Sequence, residues 1–424
     1  MFKVKIRSGA LLSVLTISIV IVLIMTGLLV LSVSLKTSFQ RSQRIDRLNR
    51  NAGSGLNLLL SGATFDLNED SIIDLYENKS DSVYLHRMAW GIYDVYLVHA
   101  FSNADTIKKE AIIGNLLLSE ERFALYLADH QRPLSISGET RIAGDVLIPE
   151  AGIRKANIEG QAFKGSKMVY GISKTSKQEL PKLNEPILTD IDELLNNSTE
   201  RIYSSERHDF FNLDSIDNPF NKAVFYIYNA KPLVLNNVYL KGNVIVISDS
   251  AIQIDSSAIL KDIQIYAPSV TIKEGFMGSV QVFSRDSINI HKNVVLEYPS
   301  VLGLVTSNQK DHQYEDSPFV NVAEYSRING IIFSTMADKE IPFPIIKIDK
   351  NAEIYGQVFA SGMLQLQGEI MGSTITNGFI LKTSSTLYEN FVLNGTMDSN
   401  KLSEYYLGSK LINKNSVMGI LKWL

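Results

Sequence analysis

The chain has 424 residues, 45% of them apolar and 20% charged, with a formal net charge of −4. That length holds two or three domains. The slightly acidic balance offers no basic surface of the kind nucleic-acid binding needs, and the lack of cysteine excludes disulfides, thiol nucleophiles and Cys-ligated zinc.

The first predicted element is a membrane helix. No charge occurs between Gly9 and Leu35, and Leu11–Leu31 is dominated by Leu, Ile and Val, with Met25 and only Ser, Thr and Gly between them. About 20 apolar residues at about 1.5 Å rise cross a hydrocarbon core of about 30 Å. A cleaved secretory signal is the alternative, but its apolar region spans about 7–15 residues. This run is longer, and its exit from Leu35 to Arg41 continues as a helix. Residues 10–35 are therefore assigned to the bilayer as a single pass. Lys3, Lys5 and Arg7 flank one side; Lys36, Arg41, Arg44, Arg47 and Arg50, against Asp46, flank the other. Flanking charge thus does not decide the orientation and leans slightly against export of the body. The helical pattern carries on through Phe39, Ile45, Leu48, Ala52, Leu56 and Leu59, so residues 1–60 read as leader, transmembrane helix and helical stalk.

Residues 61–134 read as a small mixed α+β segment. Val83–His86 and Gly91–Val98 alternate like strands, while Thr106–Leu118 and Ser119–Leu127 fit helix or strand. From 135 the pattern becomes an echo: Ile254-Asp255-Ser256-Ser257-Ala258, Ile272-Lys273-Glu274-Gly275-Phe276, Ile290-His291-Lys292-Asn293-Val294 and Ile348-Asp349-Lys350-Asn351-Ala352. The first three copies lie about 18 residues apart with period-2 apolar alternation, the signature of stacked rungs. The expected class is mainly β: a parallel, right-handed β-solenoid over 135–376. It begins at an early rung near Ser135 and is interrupted at about 175–231 and 307–327. Within the first interruption Leu188–Leu195 reads as a short helix, an insertion packed on the solenoid or a lid over it. Residues 377–424 are expected to form a C-terminal cap, since open terminal rungs invite pairing with other chains.

Two stretches resemble known families. Lys3, Lys5 and Arg7, ending at Gly9 and followed at once by the apolar helix, resemble the prepilin leader of type IV pilins and type II secretion pseudopilins. The resemblance covers roughly the first 60 residues. It implies cleavage after Gly9, a long helix that packs into a fibre core and a globular head. Val14 stands where major pilins carry a glutamate that guides assembly, which speaks against a major-subunit role and leaves a minor-pilin-like one. The run Ile348-Asp349-Lys350-Asn351-Ala352-Glu353-Ile354-Tyr355-Gly356 resembles the rungs of bactofilin-type polymer-forming β-helices, a pattern many solenoids share.

Chemistry-bearing motifs are sparse. His86, His99, His130, His208, His291 and His312 show no i, i+4 pairing. Asp311, His312, Glu315 and Asp316 form a tight ionisable cluster that suits either a hard cation or a solvated loop. Asp249, Asp255 and Asp262 share one rung region. With Glu274, Arg285 and Asp286 in place of Asp262, they make the set a polysaccharide-active β-helix would draw on, although nothing in their spacing marks them as a unit. No catalytic, cofactor-binding or metal-ligating residue is assigned, and no cofactor is expected. The resulting expectation is a non-catalytic structural or assembly protein of the bacterial cell envelope, minor-pilin-like or scaffold. It would be anchored in the inner membrane with its body periplasmic or extracellular and would meet protein partners. The alternative is a membrane-tethered β-helix that binds or cleaves a polysaccharide.

Overall fold

The computed structural model describes residues 8–62, 70–76, 81–103, 105–196, 207–208, 214–306, 317–335, 344–383, 386–412 and 417–424. The basic residues Lys3, Lys5 and Arg7 and the cluster Asp311, His312, Glu315 and Asp316 lie outside them. The chain is mainly β, with one long apolar helix at its N-terminal end. It folds as two compact units, one drawn from Met1–Leu59, Glu69–His86 and Leu97–Lys109, the other from Leu60–Asn68, Arg87–Tyr96 and Glu110–Leu424.

In the first unit, helix α1 spans Ser8–Leu60. Ser and Thr hydroxyls in its apolar stretch turn back onto the helix: Ser13 donates to the Gly9 carbonyl at 2.9 Å and Thr26 to that of Val22 at 2.7 Å, so these hydroxyls are satisfied within the helix. Large side chains from Leu11 to Leu35 are exposed, each by more than half. The distal part behaves differently. Leu48, Ala52, Leu56 and Leu59 form one buried stripe, the spacing of a helix face turned to a core. That face meets strands β2 (Ser82–Trp90) and β3 (Tyr93–Ser102). At Gly55 a Cβ would come within 3.0 Å of Val83, Leu85 and Val98, so glycine there sets how closely helix and sheet approach. Residues 48–59 are therefore a packed core helix rather than a free stalk. Strand β1 (Ser71–Ile73) pairs antiparallel with β2, Ile72 opposite Tyr84. Strand β4 runs Asp105–Leu116. Residues 61–134, expected as α+β, hold no α-helix beyond Gly62 among the described residues, only a 3-10 turn at Ser119–Glu121. The ambiguous Thr106–Leu118 resolves to strand, where β-branched Thr106, Ile107, Ile112 and Ile113 fit a pleated surface.

The second unit is a stack of parallel ladders. The echo isoleucines are direct neighbours: Ile254 pairs with Ile272, Ile272 with Ile290, Ile290 with Val322, Val322 with Ile348 and Ile348 with Leu366. All are buried. A second ladder runs Val246, Ile265, Val282, Leu302, Ile332, Val358, Thr374, Leu125 and Val146. A third runs Leu296, Ile328, Ile354, Ile370, Met397 and Ile142. Long strands such as Glu353–Leu366 contribute residues to all three (Leu366, Val358 and Ile354), and the pairing network closes on itself. Inward side chains from the three ladders merge into one continuous hydrophobic core. At one corner Gly330, Gly356 and Gly372 stack directly, with φ of 149°, 147° and 155°. A Cβ on any of them would fall 1.8–1.9 Å from a carbonyl oxygen of the coil below.

The order of coils in space departs from their order in sequence. Phe123–Leu127, Leu134–Ser137 and Arg141–Ala143 do not lead into Leu233–Ile254. They pair onto the far end of the stack: Leu125 with Thr374, Ile136 with Val392 and Ile142 with Met397. Ser173–Thr175 then pairs with Asp145–Ile148. The outermost described strands at the other end are Arg207–His208 and Ser215–Asn218. The interruption at 175–231 thus carries the chain back along the stack. Within it helix α2 (Glu185–Asn196) lies across Ile259–Ile272, Met277–Ile290 and Val295–Val305, with Ile191 buried and Arg285 Nη1 donating to Asn196 Oδ1 at 3.1 Å.

Residues 377–424 also differ from a simple cap. Phe391–Leu393 and Thr396–Asp398 belong to the ladders. Leu407–Gly408 and Met418–Trp423 pair antiparallel with the Glu110–Leu116 part of β4. This final segment is pinned by charge: Lys422 Nζ contacts both oxygens of buried Asp262 at 2.7 and 2.6 Å, and Lys410 bonds Asp94.

Candidate functional site

Two features stand out as surfaces that could act on something else: the exposed apolar part of α1, and a tyrosine-lined cleft in the second unit.

The helix is held by its own basic residues. Arg41, Arg44 and Arg47 recur every three positions and so drift only slowly around the helix. Arg44 and Arg41 meet Asp105, at 2.7 and 3.3 Å, and Arg47 grips Asp81 through two nitrogens, the longer contact 2.9 Å. Asn51 adds a bond to Asp81 at 3.1 Å. Asp81 is almost wholly buried, so it needs these partners. The Asp105 carboxyl is held below its ordinary value, first by its bond to Arg44. The residues that look like a membrane-flanking charge cluster are thus the bolts between the helix and its strands.

The cleft measures about 500 Å³. Its floor is Tyr298 and Tyr406, ring centroids 5.6 Å apart and inclined at 49°. The Tyr298 hydroxyl donates to the Leu407 carbonyl at 2.7 Å and the Tyr406 hydroxyl to that of Gly330 at 3.2 Å. Burial pushes both phenols well above the usual tyrosine range, so both stay neutral. One wall carries Glu297, Asn329 and Tyr355, each directly after a buried ladder residue and therefore facing outward by strand alternation. The other wall is the C-terminal segment, with Lys401, Ser403 and Tyr405. Tyr405 is 87% exposed. A single carboxylate, Glu297, lines the cleft. Paired acids, a nucleophile with its base and a cation cage are all lacking among the lining residues.

Asp249, Asp255, Asp262, Glu274 and Asp286 each have partners of their own. Asp249 bonds the Tyr228 hydroxyl, and Asp255 caps its own turn through the Ser257 amide and hydroxyl at 3.1 and 2.9 Å. Those bonds, the backbone one first, hold the Asp255 carboxyl below its ordinary value. Asp262 is taken by Lys422, Glu274 by the Asn293 amide at 2.9 Å, and Arg285 lies against Asp286 and Asn196. Each one finishes a local turn or docks a neighbouring segment. His130 meets Asn377 at 2.8 Å and His208 stacks on Phe225 at 4.2 Å. Among the described residues no group of three or more His, Asp or Glu could hold a metal ion. Sequence reading missed the cleft. Its traces were the adjacent pair Tyr405-Tyr406 in a polar stretch and the outward positions following Leu296, Ile328 and Ile354.

No protein-family model and no curated protein sequence matches the chain. Among solved structures, the competence-associated pilin ComZ from Thermus thermophilus aligns over 84% of this chain and 86% of its own, at 11% identity and a TM-score of 0.26. A score of that size does not establish a common fold.

Proposed function

We propose that this protein is a membrane-anchored, non-catalytic assembly component of the bacterial cell envelope, a minor-pilin-like or scaffold subunit. The observation that carries the reading is the two-part character of α1. One continuous helix presents a fully exposed apolar surface over Leu11–Leu35, then buries Leu48, Ala52, Leu56 and Leu59 against its own strands. The exposed part is long and apolar enough to cross a bilayer and to pack laterally on other helices; the buried part packs that anchor onto the strands of its own unit. On this reading the parallel stack is a right-handed β-solenoid that serves as the presented surface, and the body lies outside the cytoplasm beyond the inner membrane.

Topology is tested by protease treatment of spheroplasts: digestion of the body without lysis is expected, and protection until lysis places it in the cytoplasm. The assembly role is tested by replacing Leu11–Leu31 with an unrelated membrane helix and purifying both proteins from membranes. The native helix is expected to retain protein partners that the replacement loses. Identical recovery from the two, with no partner on either, refutes the role.

A further inference from the structure

We infer that the cleft between the C-terminal segment and the coils bearing Glu297, Asn329 and Tyr355 is a binding site for a neutral, equatorially linked oligosaccharide. The inference stands on the cleft alone and does not depend on the anchoring role proposed above.

Three properties of the cleft select this chemistry. The first is aromatic surface. Tyr405 stands in water at 87% exposure beside buried Tyr406 and half-buried Tyr298. An exposed aromatic ring next to an aromatic floor offers flat, weakly polar faces to a ligand that is itself apolar on its faces. The hydroxyls of Tyr298 and Tyr406 are committed to backbone carbonyls, so these rings present carbon rather than donors. The second property is the polar edge. The Asn329 amide nitrogen donates to the Leu296 carbonyl at 2.9 Å, which leaves its oxygen to accept. Glu297 accepts, and Lys401 and Ser403 donate from the facing wall. One carboxylate and one ammonium leave no net charge to attract a phosphate or a polyanion, and Lys401 already has Glu369 at 3.7 Å. The third property is repetition. Asn329 and Tyr355 are direct ladder partners, so these two outward groups stand at the inter-strand spacing of about 4.8 Å, with Glu297 on the adjacent strand beyond a register shift. A ligand with a repeat of similar length, apolar faces and polar edges fits; a pyranose chain with equatorial linkages has all three.

The test uses the full chain in lipid nanodiscs, titrated with cellohexaose and with chitohexaose by calorimetry and by saturation-transfer NMR. Saturable binding of at least one of them is expected. Tyr405→Ala is expected to weaken it about tenfold or more, while Tyr405→Phe stays within about twofold, since the ring and not the hydroxyl makes the contact. Tyr355→Leu, on the opposite wall, is the second variant. Circular dichroism confirms that each variant is folded; should one fail to fold, the other supplies the comparison. Absence of saturable binding by both sugars overturns the inference, and so does binding that folded Tyr405→Ala or folded Tyr355→Leu leaves unchanged.

Discussion

Substituting Gly356 with alanine tests the closest backbone contact in the stack. At φ 147° the residue sits where L side chains are rarely found, and a Cβ would lie 1.9 Å from the Gly330 carbonyl oxygen and 2.7 Å from the Tyr406 hydroxyl. The conformational part costs about 1–3 kcal/mol. Forcing a methyl against backbone that cannot rotate away adds about 1–3 kcal/mol, for a total near 4 kcal/mol. Gly275 is the control: its φ of 78° is also left-handed, but nothing lies within 4 Å of its Cβ position. Gly275→Ala is therefore expected to lose only about 1–2 kcal/mol. Urea unfolding followed by far-UV circular dichroism gives both values, provided the slopes match that of the parent. Gly372 meets Gly356 in the same way, so Gly356→Ala and Gly372→Ala together are expected to lose less than the sum of the two, because one backbone shift relieves both clashes. Equal losses for Gly356→Ala and Gly275→Ala refute the argument that the corner is set by backbone contact.

Ile272→Asp places a carboxylate in the fully buried ladder between Ile254 and Ile290, which costs several kcal/mol. The variant is expected to be recovered insoluble or to be cut rapidly by trypsin under conditions the parent resists. Arg47→Ala removes two nitrogens that bond buried Asp81 and is expected to destabilise the helix-bearing unit by about 1–3 kcal/mol; undiminished unfolding midpoints for that unit count against the bolt reading. The depressed Asp105 carboxyl gives a pH signature. Its folded value lies below the unfolded 3.8, so its contribution is fully present above that value and is lost as pH falls through the folded one. Asp105→Asn should flatten the acid limb of the stability curve below about pH 4, while an unchanged limb would show that the pair is not coupled to folding.

Much of the local structure was written in the sequence because it depends on near neighbours. An uncharged run from Gly9 to Leu35 has no stable alternative to a helix with an exposed apolar surface. The recurrence Ile254, Ile272, Ile290 and Ile348 marked one interior ladder because a period-2 strand must send the same positions inward on every coil. The fate of Arg41, Arg44 and Arg47 was not legible: the same spacing suits a stalk in water or a helix bolted to Asp81 and Asp105, and those acids are far away in sequence. Coil order was equally hidden. Nothing in Leu125, Ile136 or Ile142 says that they stack beyond Thr374, Val392 and Met397 rather than ahead of Leu235. Any rung can pair with any rung of the same grammar, and the choice rests on which open ends remain to be covered. The cleft shows the same limit. Glu297, Asn329 and Tyr355 face outward by simple alternation, but only the tertiary fold brings Lys401, Ser403 and Tyr405 across from them, because Tyr298, Tyr406, Asp262 and Lys422 fasten the chain's last segment to coils more than 50 residues earlier in the sequence.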